Sequence, residues 1–99
     1  MKTLNEIGEM FVELTGCAMG NRDGLQRVQE ELDEAKQATT NANLAEEMAD
    51  VILTLAACAA VWGIDLDEAV QVKHAINMKR KWGPHPSIPG AVKRVKESI

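Results

Sequence analysis

From Met48 to Ile64 the chain reads Met-Ala-Asp-Val-Ile-Leu-Thr-Leu-Ala-Ala-Cys-Ala-Ala-Val-Trp-Gly-Ile, and only Asp50 and Thr54 interrupt its apolar character. A stretch that is apolar almost all round reads as a helix buried on most of its sides, so the remaining elements must be arranged to cover it. The run falls a few residues short of a membrane span and contains an acid, which argues against a bilayer as the covering medium. An ionised carboxylate in such surroundings is costly unless it is paired or metal-bound. Asp50 is therefore expected to have a partner.

The neighbouring sequence offers candidates. Glu46-Glu47-Met48-Ala49-Asp50 is preceded by a second acidic run, Glu30-Glu31-Leu32-Asp33-Glu34. In helices, Glu31 and Glu34 lie one turn apart, as do Glu47 and Asp50. Glu47, Asp50 and Thr54 fall along one flank of the stripe Leu44, Met48, Val51 and Leu55. Glu31 and Glu34 flank the stripe Leu25, Val28, Leu32 and Ala35 in the same way. Two such helices joined by a tight turn pack antiparallel, and the four carboxylates converge in the groove between them, which makes a site for a hard cation. No lysine or arginine lies between Gln37 and Gln71, so the second run has no cation at helical spacing to neutralise it. Structural ion pairs across the helices would produce the same pattern, and Glu30, Asp33 and Glu46 read as a solvated face.

Capping signals divide the chain into four helices, roughly 4–18, 22–38, 43–62 and 66–82, with a tail over 83–99. Thr3 with Glu6 reads as a capping box ahead of Leu4, Ile7, Phe11, Leu14 and Ala18, and Gly16 and Gly20 weaken the end of that helix. Asn21 or Asp23 caps the second helix, and Asn43 with Glu46 reads as a second box. Gly63 is expected as a C-terminal cap, and Asp65 with Glu68 starts the fourth helix, which should stop at Gly83-Pro84. Beyond Pro89 a short amphipathic piece through Val92 and Val95, or a mobile tail, is expected.

The fourth helix changes character along one face: Leu66, Ala69 and Val70 read as core, and Lys73, Asn77 and Arg80 continue nearly the same line with polar groups. That suits a helix packed at one end and lining an anionic ligand at the other, although long side chains also snorkel from interfaces or pair with acids. Trp62 reads as core or subunit interface, and Trp82 as a possible surface for a ring. His74 and His85 lack metal-ligand spacing, and the Glu-x-x-His pattern of di-iron bundles is missing.

With 99 residues and 45% hydrophobic content the chain reads as one domain with a small core, for which oligomerisation would help. A net charge of -4, with no basic cluster before the C-terminal end, argues against binding a nucleic-acid polymer. Met-Lys-Thr-Leu-Asn-Glu carries an acid and no apolar run, so a signal peptide is not expected and the cytoplasm is. Cys17 and Cys58 sit among small or apolar residues and read as reduced core fillers.

The pattern Glu-Glu-x-x-Glu, twelve residues, then Glu-x-x-Asp resembles the signature of the all-alpha nucleotide pyrophosphohydrolases. This is the MazG-like superfamily, which includes dimeric dUTPases, dCTP pyrophosphatases and phosphoribosyl-ATP pyrophosphohydrolases. Glu46 to Leu53 followed by Gly63-Ile64-Asp65-Leu66-Asp67-Glu68-Ala69 is similar to the usual run in these proteins, and Lys73, Asn77 and Arg80 resemble their closing helix. The resemblance spans roughly Leu25 to Trp82. It implies an all-α, antiparallel four-helix bundle assembled as a homodimer or a dimer of dimers.

It further implies that Glu31, Glu34, Glu47 and Asp50 bind Mg2+, with Mn2+ as a substitute, and that Glu31 and Glu34 position or activate the attacking water. Lys73, Asn77 and Arg80 would meet the phosphates or sugar of a nucleoside triphosphate, which is hydrolysed to monophosphate and pyrophosphate in nucleotide-pool housecleaning. Asp33 departs from the pattern, standing where many relatives have glycine, and the twelve-residue spacing is short for the family. A non-catalytic nucleotide-binding module and a purely structural helical partner protein are the alternatives.

Overall fold

Threonine side chains start two of the helices in the computed structural model, which describes residues 1–17 and 23–95. Four helices, α1 (Leu4–Thr15), α2 (Asp23–Lys36), α3 (Asn41–Val61) and α4 (Leu66–Asn77), precede two short strands, β1 (Trp82–Pro84) and β2 (Val92–Arg94). The chain divides into two compact units, Met1–Glu68 and Ala69–Ile99.

In the first unit, Thr3 forms the expected capping box with Glu6, and α1 ends at Gly16, whose φ of 65° is the left-handed conformation that glycine adopts without strain. The expectations placed on Ala18, Gly20 and Asn21 lie outside the described residues. Helix α3 starts two residues earlier than the sequence signal indicates. Its cap is Thr40, whose hydroxyl accepts from the Asn43 N–H at 3.1 Å, so Asn43 belongs to the first turn rather than preceding it. The far end of α3 closes as expected: with Gly63 at φ 68°, the Ile64 N–H reaches the Ala59 carbonyl at 2.9 Å and the Gly63 N–H reaches Ala60 at 3.3 Å. Those two bonds make a Schellman cap.

Helices α1 and α2 both pack against α3. Among the described residues the buried apolar side chains are small, Ala35, Ala56, Ala57, Cys58 and Ala59, and small residues let helices approach closely. At Gly8 the approach is extreme, since a Cβ there would lie 2.2 Å from the Ala56 carbonyl oxygen. The start of α4 is tied to the start of α1. Asp67 accepts from the Leu4 and Asn5 N–H groups at 3.1 and 2.9 Å, and Asn5 accepts from Leu66 N–H at 2.9 Å while donating to Asp65 at 2.8 Å. Asp65 also accepts from the Glu68 N–H, as its place before α4 implies.

Two expectations are corrected here. Helix α3 is not buried almost all round within this chain: Met48, Ile52 and Leu55 are 55%, 48% and 38% exposed, and Asp50 is exposed as well. The two covering helices follow the small-residue face and leave the bulky one open. Helix α2 is also rotated relative to the Leu25–Leu32 stripe. Its buried residues are Gly24, Glu31 and Ala35, while Leu25 and Leu32 lie at the edge, about two-fifths exposed.

In the second unit, α4 ends at Asn77 and not near 82. The Asn77 carbonyl accepts from both the Arg80 N–H, at 3.2 Å, and the Trp82 indole N–H, at 3.1 Å, which closes the helix and turns the chain. The chain then forms an antiparallel ribbon with Trp82 opposite Arg94, Gly83 opposite Lys93 and Pro84 opposite Val92. The tail beyond Pro89 is therefore a strand through Val92, not an amphipathic piece. Proline is tolerated because β1 is an edge strand. Among the described residues, no single helix is long and apolar enough to cross a membrane.

Candidate metal centre

The rotation of α2 decides what faces α3. Glu31 is 6% exposed and points from the middle of the buried face, one turn beyond Arg27, whose guanidinium pairs with it. Arg27 also reaches Glu30 at 3.1 Å and is itself half exposed. On α3, the half-buried Leu44, Glu47, Val51 and Thr54 lead into the buried Cys58 at alternating three- and four-residue steps, so Glu47 likewise occupies the covered face rather than its flank. Carboxylate oxygens of Glu31, Glu34 and Glu47 lie within 4.8 Å of one another. The residues that sequence placed on two flanks meet because both faces turn inward.

This arrangement is electrostatically unfavourable without a cation. The Oε2 of Glu47 is enclosed and accepts no hydrogen bond from the described residues. Burial, reinforced by the charges of Glu34, Asp50 and Glu31, pushes the Glu47 carboxyl above its ordinary value. Arg27 forms the only ion pair to the cluster among the described residues. An enclosed oxygen with no donor, beside two more carboxylates, fits a hard divalent cation, and the all-oxygen ligand set favours magnesium or manganese over zinc.

Asp50 stands apart. Its carboxylate is outside the group of three, yet its charge is felt at Glu47 and the residue helps to line a cavity of about 480 Å3 together with Glu31, Arg27, Phe11, Leu53 and Thr54. The cavity is thus lined by one of the clustered acids together with an aromatic ring, an aliphatic side chain and a guanidinium. Arg27 and Phe11 are the residues that sequence reasoning did not assign to the site. Arg27 had a legible signal, its four-residue spacing before Glu31; Phe11 had none beyond its place in an apolar stripe.

Lys73, Asn77 and Arg80 belong to the second unit, where they line a separate cleft of about 660 Å3. Arg80 lies beyond the end of α4, not on it, and its guanidinium donates to Asn77 Oδ1 at 3.2 Å. The polar face of α4 is thus continued by a turn. Trp82, 45% exposed, also lines this cleft, and Trp62 caps α3 half-buried. Cys58 is a buried free thiol whose pKa burial pushes up, and Cys17 is half-buried and free.

A model of the phosphoribosyl-ATP pyrophosphohydrolase family matches residues 17–77. Among solved structures, a cyanophage S-2L MazG-like pyrophosphohydrolase bound to dGDP and three catalytic Mn2+ ions per active site is similar in fold. Its TM-score is 0.79 at 23% identity, over 98% of this chain and 97% of that one. No curated protein matches.

Proposed function

Since this chain belongs to the phosphoribosyl-ATP pyrophosphohydrolase family, and is thereby a nucleotide pyrophosphohydrolase, we propose that it hydrolyses a nucleoside triphosphate to the monophosphate and pyrophosphate with magnesium. The observation that carries this reading is the enclosed, donor-less oxygen of Glu47 facing Glu31 and Glu34. Glu31, Glu34 and Glu47 hold the metal, and Asp50 completes the set from the rim of the adjoining cavity. Bound magnesium supplies neutralisation of the charge on the phosphate oxygens and a lowered pKa for the attacking water. Manganese is an apt substitute, since the cyanophage protein carries Mn2+.

The carboxylates divide the remaining work by environment. Glu31 is buried and held by Arg27, which fixes its orientation as a ligand. Glu34 is exposed, so a proton taken from water has a route to solvent, and it is the better placed general base. Arg27 holds Glu31 in place and tempers the repulsion among the acids. Lys73, Asn77 and Arg80 bind phosphate or sugar, with Arg80 offering a fork of donors and Lys73 a point charge.

The exposed row Met48, Ile52 and Leu55 on α3 is the face through which two copies associate, as a homodimer or a dimer of dimers. Free cysteines fit a reducing, cytoplasmic setting. The substrate panel includes deoxyguanosine nucleotides, because the cyanophage protein binds dGDP, and phosphoribosyl-ATP, because of the family's name. The test is Asp50→Asn: metal-dependent pyrophosphate release is lost while the helical circular dichroism is unchanged. Normal turnover in that variant removes Asp50 from the site.

A further inference from the structure

The cleft of the second unit contains more cations than its α4 residues supply. Besides Lys73, Asn77 and Arg80 it is lined by Trp82 of β1 and by Lys93 and Arg94 of β2, and among the described residues no carboxylate contributes to the lining. Four of the chain's eleven lysines and arginines therefore gather around one hollow in a protein of net charge -4. Among the described residues, none of these four forms an ion pair. Like charges brought together without counter-charges repel, and the arrangement is relieved by a multivalent anion.

The cleft is also built rather than incidental. Arg80 is half-buried and its guanidinium is held by Asn77 Oδ1 at 3.2 Å, while the Trp82 indole is held by the Asn77 carbonyl at 3.1 Å, so one residue positions both. Arg94 is the cross-strand partner of Trp82, and cross-strand partners leave a ribbon on the same face. The volume, about 660 Å3, lies in the range of small-molecule sites.

We propose that Lys93 and Arg94, presented by the C-terminal ribbon beside Trp82, complete with Lys73, Asn77 and Arg80 a binding site for an oligophosphate. A single phosphate engages one or two of these cations, whereas a chain of two or three phosphates spans them all. The ribbon thus selects for chain length, and the Trp82 ring offers a surface for a planar or sugar group attached to the chain. Identifying that ligand as the phosphate chain of the substrate rests on the function proposed above; the existence of the site does not.

The experiment titrates the full chain with inorganic tripolyphosphate, pyrophosphate and orthophosphate by calorimetry, in excess chelator so that the acidic cluster takes no part. Wild type is expected to bind tripolyphosphate more tightly than pyrophosphate and orthophosphate least, with affinity falling as salt rises. Lys93→Gln with Arg94→Gln weakens tripolyphosphate about tenfold or more. Lys36→Gln with Lys79→Gln, the same charge change at residues that do not line the cleft, leaves affinity within about twofold.

Equal weakening in both double variants, or no tripolyphosphate binding by wild type, overturns the site. Tripolyphosphate binding without hydrolysis of any nucleotide supports the site and removes the proposed function instead. If both stand, the ribbon variant raises KM for nucleoside triphosphate and leaves kcat nearly unchanged; a fall in kcat alone overturns the assignment of the ligand as substrate.

Discussion

Replacing Gly8 by alanine sets two physical effects of opposite sign against each other. In an exposed helix interior the change stabilises by about 1 kcal/mol, because alanine loses less backbone entropy. At Gly8 the added Cβ would stand 2.2 Å from the Ala56 carbonyl oxygen, 2.6 Å from its carbonyl carbon and 3.1 Å from its Cβ, where ordinary contacts begin near 3.4 Å. The nearest atoms are backbone, so no rotamer change relieves the clash, and α1 must withdraw from α3 by roughly 1 Å. A gap of that size forfeits about a quarter to a half of the dispersion attraction along the contact.

Overpacking of this kind costs about 1–3 kcal/mol, and the lost contacts around Ala56–Ala59 offset the propensity gain. For a domain of this length, about 4–8 °C is lost per kcal/mol, so the melting temperature should fall by roughly 5–20 °C. Thermal and urea unfolding followed by far-ultraviolet circular dichroism, with chelator present, measures it. A Gly8→Ala protein as stable as wild type, or more so, would show that α1 and α3 are not in backbone contact.

Further outcomes concern the acids and the caps. Glu47→Gln removes a carboxyl whose folded pKa is raised, so the sign is fixed: wild type binds more protons folded than unfolded, and its metal-free stability declines as pH rises from the ordinary carboxylate range through the raised value. The variant should lack that decline and be the more stable of the two at neutral pH in chelator; a wild type that keeps its full stability across this window contradicts the strained cluster. Magnesium at a hundred times its dissociation constant should add about 2.7 kcal/mol to wild type. It should add nothing to Glu47→Gln, as differential scanning fluorimetry would read. Asp67→Ala frees two N–H groups at the start of α1 and should cost about 1–3 kcal/mol in urea unfolding; a loss under a few tenths would mean the tie between the two helix starts is not formed in solution.

Local chemistry was legible and long-range contact was not. The Thr3–Glu6 box, the Gly63 cap and the Asp65 start of α4 each depend on residues within a few positions of one another, and each stands where the sequence put it. The convergence of Glu31, Glu34 and Glu47 was legible from one-turn spacing and the short connection over 37–40. The premise for Asp50 was not sound, because apolar composition records what a residue would tolerate and not which neighbour covers it; Asp50 is exposed within this chain, on the side of α3 opposite Met48, Ile52 and Leu55. Gly8 looked like any glycine in an amphipathic helix, since its meaning lies in Ala56. The ribbon was missed because its strands are three residues long, carry Gly83 and Pro84, and are held by partners eight to twelve residues away and by Trp82 reaching back to Asn77.

The most direct test of the account is pyrophosphate release from a panel of canonical, deoxy and modified nucleoside triphosphates and phosphoribosyl-ATP, with magnesium and with excess chelator. Release from at least one member that requires the metal, with the nucleoside monophosphate as the other product, is the expected result. A folded protein that releases pyrophosphate equally well in chelator would contradict the role given to Glu31, Glu34, Glu47 and Asp50, and one that cleaves no member would contradict the proposed reaction.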